Sequence, residues 1–101
     1  MPEVGNKTNV VSKQGKVTVV ETTSGQVIAE NLQRKGLLVI NEGSGSVWLA
    51  LGTGSAVAKE GIFLVTGGSS WSGTISGIVW TGAVQAISET AKSPVLTFVE
   101  V

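Results

Sequence analysis

The chain has 101 residues, the size of a single domain, and its 42% hydrophobic content excludes an intrinsically disordered protein. Seven basic and seven acidic side chains give a net charge of zero, so the composition lacks the excess of positive charge that is typical of nucleic-acid-binding proteins. There is no Cys for disulfides or thiolate chemistry, and no apolar run approaches the ~20 residues of a membrane helix. We expect a protein that binds neither nucleic acid nor membranes.

Residues 1–15 are polar and are interrupted by Gly5 and Gly15, which predicts a loosely held N-terminal arm. Residues 16–101 are rich in Val, Thr and Gly, a composition typical of sheets and tight turns. We interpret 56–60 as a loop, with a single helical turn as the alternative, and 89–93 as a further loop. The predicted strands are Lys16–Glu21, Gln26–Ala29, Gly36–Asn41, Ser46–Leu51, Gly61–Val65, Trp71–Ile75, Ile78–Trp80, Ala83–Ser88 and Pro94–Val101.

Roughly eight strands at this spacing predict an all-β chain. We expect a single antiparallel β-sandwich with jelly-roll or Greek-key connections, preceded by the polar arm. The order of the strands does not follow from the sequence.

The strands Gly36–Asn41 and Ser46–Leu51 are predicted to form a β-hairpin across a Gly/Ser loop. Both are apolar at consecutive positions, although a strand with one wet face should alternate. We therefore expect the outer face to be covered, either in a homo-oligomer or by loops and the N-terminal arm. The residues assigned to the core are Leu38, Ile40, Val47, Leu49 and Leu51, and those assigned to the partner are Leu37, Val39 and Trp48.

The residue types needed for most catalytic sites are missing. Without His, Cys and Asp there is no Ser-His-Asp or Cys-His arrangement and no ordinary zinc site. The seven Glu residues are scattered at turns and strand ends, and the Gly-rich segments 52–55 and 67–70 do not match a phosphate-binding loop. We predict a protein that is not an enzyme and has no cofactor or metal site. Arg34 and Lys35 are interpreted as a solvated pair at the start of a strand.

The three tryptophans are candidates for packing or contact. Trp48 and Trp80 lie in apolar runs and are interpreted as core or interface anchors, whereas Trp71 begins a polar strand and is the best candidate for an exposed contact. Stacking of Trp48 and Trp71 on sugar rings is the alternative. The candidate oligomer or capsid interface comprises Leu37, Val39, Trp48, Phe63 and Trp71.

A pattern of strands, turns and small residues extends over about residues 32–101. It resembles the small β-sandwich structural proteins of tailed bacteriophages, which include capsid decoration proteins and head or tail fibre components. The pattern is carried by Arg34-x-x-Leu37-x-Val39-x-Asn41, Gly45-Ser46-Val47-Trp48-Leu49-Ala50-Leu51-Gly52, Gly61-Ile62-x-Leu64-x-x-Gly67-Gly68-x-x-Trp71, Gly82-Ala83-Val84-Gln85-Ala86-Ile87 and Leu96-Thr97-Phe98-x-Glu100.

The resemblance implies a virion protein of the capsid surface, assembled in the host cytoplasm. Decoration (cement) proteins of similar size often form trimers that bridge major capsid subunits, and an N-terminal arm often contacts the shell. We therefore expect a homo-oligomer, a trimer being favoured, with the major capsid protein or another virion protein as partner. The alternatives are a tail, fibre or baseplate component, and a carbohydrate-binding module that uses Trp71 and Trp48.

Overall fold

A computed structural model describes residues 13–19, 23–88 and 94–101 of the chain. The regular elements of these residues are all β-strands. The predicted N-terminal arm up to residue 12 and the predicted loop 89–93 lie outside the described residues. The strands are β1 Lys13–Thr18, β2 Gly25–Ile28, β3 Leu37–Asn41, β4 Val47–Leu51, β5 Ile62–Leu64, β6 Ser69–Trp71, β7 Thr74–Ile75, β8 Ile78–Val79, β9 Val84–Ser88 and β10 Val95–Glu100.

Eight of these strands form two four-stranded antiparallel sheets that pack face to face. The orders are β1-β10-β3-β6 and β2-β9-β4-β5, while β7 and β8 make a separate two-stranded ribbon. The pairs are nested: β1 with β10, β2 with β9, β3 with β6, and β4 with β5. This nesting is the eight-stranded jelly roll, so the predicted all-β sandwich is confirmed.

The predicted hairpin between β3 and β4 is wrong. The two strands belong to different sheets, and the segment between them crosses the edge of the sandwich. Asn41 explains this arch, because its buried amide donates to the carbonyls of Gly45 (2.7 Å) and Leu64 (3.0 Å) and accepts from the Gly43 N–H (3.1 Å). Leu64 lies in the opposite sheet, so this one side chain ties the two sheets together.

Gly43 is required in this arch for a steric reason. A Cβ at this position would lie 2.5 Å from the Cα of Pro94 and 2.4 Å from the backbone nitrogen of Val95. The arch can therefore press against the start of β10 only without a side chain at residue 43.

The faces assigned to β3 are inverted. Leu37 and Val39 point into the core at 6% and 0% exposure, whereas Leu38 and Ile40 point outward. Because side chains alternate along a strand, Asn41 cannot reach its partners in the other sheet unless Leu37 and Val39 also face inward. In β4 the core assignments of Val47 and Leu49 are confirmed, and Leu51 is half-buried against the core.

The predicted strand Trp71–Ile75 is divided into β6 and β7. Gly73 lies between them with a φ of +74°, and a Cβ there would lie 2.6 Å from the carbonyl oxygen of Leu37. A residue with a side chain would be strained at this position on both counts. At the other end of the chain, β1 begins at Lys13, so three residues of the predicted arm belong to the sheet.

The core is filled from both sheets. Its aliphatic layer contains the inward residues of the central strands, and Trp71 and Leu64 come from the two short edge strands. The buried cluster comprises Val19, Val27, Ile28, Leu37, Val39, Val47, Leu49, Leu64, Trp71, Val84, Ala86 and Leu96.

We expect Asn41→Ala to lower the free energy of unfolding by about 2–4 kcal/mol. The substitution leaves two carbonyls and one N–H of the arch without their partner. Urea unfolding followed by tryptophan fluorescence measures this loss, and Ser70→Ala on the exposed face of β6 is the matched control. A loss below about 1 kcal/mol would contradict the role assigned to Asn41.

Candidate interaction surface

A buried arginine connects three parts of the sandwich at one end. The Arg34 side chain is fully buried, and its Nε donates to Oε2 of Glu100 at 2.6 Å. Its Nη1 donates to the carbonyls of Trp80 (2.7 Å) and Gly82 (3.2 Å), and its Nη2 donates to that of Ala29 (2.8 Å). The guanidinium therefore fastens the end of β10 to the β8–β9 turn and to the residue after β2.

The interpretation of Arg34 as a solvated residue is wrong, whereas Lys35 beside it is exposed. The sequence does indicate that Glu100, the partner of Arg34, is buried. Glu100 follows Leu96 and Phe98 at alternate positions of β10, which face inward. A carboxylate at an inward position of a strand requires a buried cation or several donors. The sequence offers no comparable indication for Arg34.

Two opposing effects act on the carboxyl of Glu100. Burial raises its pKa, but hydrogen bonds from Arg34 and Asn31, together with the charges of Arg34 and Lys13, lower it further than burial raises it. The net result is a pKa below the ordinary value of 4.5, which keeps Glu100 ionised against Arg34. With four of the five guanidinium donors directed at protein oxygens, this cluster has a structural role.

The outer face of the β2-β9-β4-β5 sheet is the strongest candidate for contact with a partner. We call it the uncharged face, because its outward side chains are aromatic, aliphatic or amide. Trp48 of β4 lies between Phe63 of β5 and Ile87 of β9 in one transverse row. The next row contains Ala50, Gln85 and Gln26.

Trp48 and Phe63 are packed against each other on this face. Their ring centroids are 4.4 Å apart with an interplanar angle of 33°. Phe63 is 42% exposed, and Trp48 is half-buried. Within the described part of the chain, the indole N–H of Trp48 is buried and has no hydrogen-bond acceptor. Such a donor costs about 1–3 kcal/mol, so the indole is not a fully satisfied core group.

The five predicted interface residues separate into two groups. Leu37, Val39 and Trp71 lie in the core, so their assignment to an outer surface is wrong. Trp71 is 9% exposed and donates its indole N–H to the Thr74 carbonyl (3.3 Å), because β6 places it inward opposite Val39. Trp48 and Phe63 lie together on the uncharged face, and their role in an interface stays a prediction.

A second apolar region adjoins the edge of the same sheet. A groove of about 350 Å³ runs between β4 and the 55–62 segment, with Val57, Ile62 and Ile75 among its walls. Val57 and Ile75 are 49% and 46% exposed, and Ile78 opposite Ile75 is 72% exposed. The sequence interpretation did not single out Val57, Ile75 and Ile78 as a surface, because Val57 lies in a loop and the two isoleucines lie in strands of two residues.

The described residues contain no group of three or more acidic side chains that could hold a metal ion. They also contain no helix that is long and apolar enough to cross a membrane.

Comparison of the chain with protein-family models, with curated proteins and with solved structures finds no match. The function of the chain is therefore inferred from its fold and from the surfaces described above.

We expect Glu100 to make the stability of the sandwich sensitive to acid. Its pKa is lower in the folded chain than the ordinary 4.5, so the unfolded chain takes up the proton first as the pH falls. The stabilising contribution is complete above the unfolded-state pKa and is lost as the pH falls through the lowered folded-state pKa. Urea unfolding at a series of pH values between about 7 and 2.5 measures this decline.

Glu100→Gln tests the source of that decline. The variant leaves Arg34 buried without a counter-charge, so we expect a loss of about 3 kcal/mol at neutral pH and a shallower dependence on acid. Glu42→Gln, at an exposed carboxylate, is the matched control. An unchanged acid dependence in Glu100→Gln would assign the effect to another group.

Proposed function

We propose that this chain is a non-enzymatic structural protein of a bacteriophage virion, a capsid decoration protein that binds and stabilises the head shell. The observation that carries the proposal is the uncharged face of the jelly roll, where Phe63 is 42% exposed and packs against the half-buried Trp48. Jelly rolls are common in viral capsid proteins, and the sequence pattern over about residues 32–101 points to the same class.

The proposed mechanism is passive. Copies of the sandwich associate through the uncharged face, with a trimer as the favoured assembly. Depletion of charge around aromatic residues is typical of the centre of such interfaces. The indole N–H of Trp48 has no acceptor within the described part of the chain, and an acceptor supplied by a partner would satisfy it, which supports an interface at this place.

An oligomer of this kind would engage several capsid subunits at once. Each contact can be weak, because a second contact within one assembly is intramolecular and raises the avidity without new chemistry. A rigid sandwich suits this role, since its surfaces keep a fixed spacing. The proposed location is the outer surface of the capsid.

The carbohydrate-binding alternative is less favoured. It requires two exposed tryptophans, but Trp71 is in the core. Trp48 is half-buried and has Phe63 against it, so it does not offer an open ring for stacking on a sugar. The tail, fibre or baseplate alternative uses the same uncharged face and is distinguished by the particle that the protein binds.

Sedimentation with phage particles tests the proposal. The purified protein is mixed with mature capsids, unexpanded capsids and isolated tails of the source phage, and the bound protein is quantified. Saturable binding to capsids in a symmetric stoichiometry supports decoration. Binding to tails alone would establish the alternative component, and retention on polysaccharide without binding to either particle would overturn the virion proposal.

We expect Phe63→Lys to abolish self-association and to weaken capsid binding at least tenfold, because it places a charge in the centre of the uncharged face. Light scattering and the sedimentation assay measure the two effects. Leu38→Lys is the matched control, since Leu38 is 37% exposed on the outer face of the other sheet. Equal effects of both substitutions, or a wild-type chain that stays monomeric at high concentration, would contradict the assignment of this face.

A further inference from the structure

Among the described residues, one backbone edge of the strand β1 is unpaired, and we call it the free edge. It is an outer strand of the β1-β10-β3-β6 sheet and pairs over its whole length with β10. The Val19 N–H donates to the Pro94 carbonyl (2.8 Å). Because antiparallel hydrogen bonding alternates, the odd-numbered residues of β1 bond to β10, whereas the backbone groups of Gln14, Lys16 and Thr18 point away from the sheet. No described strand pairs with them.

A groove of about 390 Å³ lies directly beside this edge, between β1 and the edge strand β2 of the other sheet. Val17, Val27 and the half-buried ring of Phe98 give it an apolar floor. The Phe98 ring fits there because residue 15 is glycine. A Cβ at this position would lie 2.6 Å from the ring. The opening between the two edge strands therefore offers both unpaired backbone groups and an apolar floor.

The rim of the groove on the β1 side is basic. Lys13 and Lys16 line the groove and are exposed. The ion pair found in the described residues joins Arg34 to Glu100, and Glu100 also lines the groove, where its charge interacts with that of Lys13. Lys16 has no ion pair within the described residues. Glu30 lies on the opposite side of the groove, after β2. The free edge itself therefore favours an acidic occupant.

We propose that the free edge of β1 binds an extended acidic peptide segment of a partner protein, which adds to the sheet as a further strand. Backbone hydrogen bonds to Gln14, Lys16 and Thr18 would provide affinity. Alternate apolar side chains of the segment pack on Val17 and Phe98, and the acidic side chains between them lie beside Lys16. A second copy of β1 is a poor occupant, because antiparallel pairing would bring lysines of the two copies together.

The test uses the whole protein and a capped peptide of alternating Val and Glu, seven residues long. Backbone amide chemical shifts and hydrogen exchange are recorded by NMR during the titration. We expect saturable shifts along β1, and slower exchange at Gln14, Lys16 and Thr18, which the unbound edge leaves exposed to solvent. The same peptide with Lys in place of Glu is expected to bind at least tenfold more weakly.

Two substitutions separate the backbone and charge contributions. Lys16→Pro removes an edge donor that β10 does not use, so we expect a folded protein whose binding falls at least tenfold. Lys16→Gln should weaken binding about two- to fivefold, and less at high salt. Lys35→Gln, an exposed lysine outside the groove, is the matched control.

Three results would overturn the proposal. They are equal affinity for the acidic and basic peptides, binding that survives Lys16→Pro in a folded variant, and protection of the three edge amides in the free monomer. The last result would mean that the chain already covers its own edge. The inference does not rest on the capsid proposal, since the Phe63→Lys experiment tests a different sheet.

Discussion

The buried amide of Asn41 is the contact on which the organisation of the sandwich depends. Its donors reach carbonyls in the arch and in the opposite sheet, so the chain must cross between sheets after β3. The same requirement fixes which residues of β3 face inward, because the side chains of a strand alternate. The crossing after β3, and the division of the β3 side chains between the core and the outer face, thus follow from one polar group that has no access to water.

The second buried polar cluster acts at the other end of the molecule. Arg34 and Glu100 hold the end of β10 against the segments that follow β2 and β8. Removing a guanidinium from water costs free energy. The role of Arg34 is therefore geometric, because its planar set of donors fits only one arrangement of the surrounding carbonyls. Two polar contacts at opposite ends therefore define how the sheets are aligned over an apolar centre.

The positions of the strands could be predicted from the sequence, because Val-rich runs separated by Gly and Ser determine where a chain extends and turns. Their pairing could not, since a short Gly/Ser segment allows a hairpin or an arch, and only the partners of Asn41 distinguish the two. The inward orientation of Trp71 likewise depends on its pairing with Val39. The outward positions of Phe63 and Trp48 could be predicted from the sequence, because each is an aromatic residue between two aliphatic residues that face the core.

The nested strand order also has a consequence for how the protein is made. The strand β10 is central in its sheet, between β1 and β3, yet it is synthesised after every other described strand. On the ribosome, β3 can pair with β6, but β1 has no partner among the described strands until residues 95–100 emerge. Contacts between such distant parts of a chain close slowly, because the intervening segment loses much entropy. The nascent chain therefore needs β10 before β1 can join this sheet.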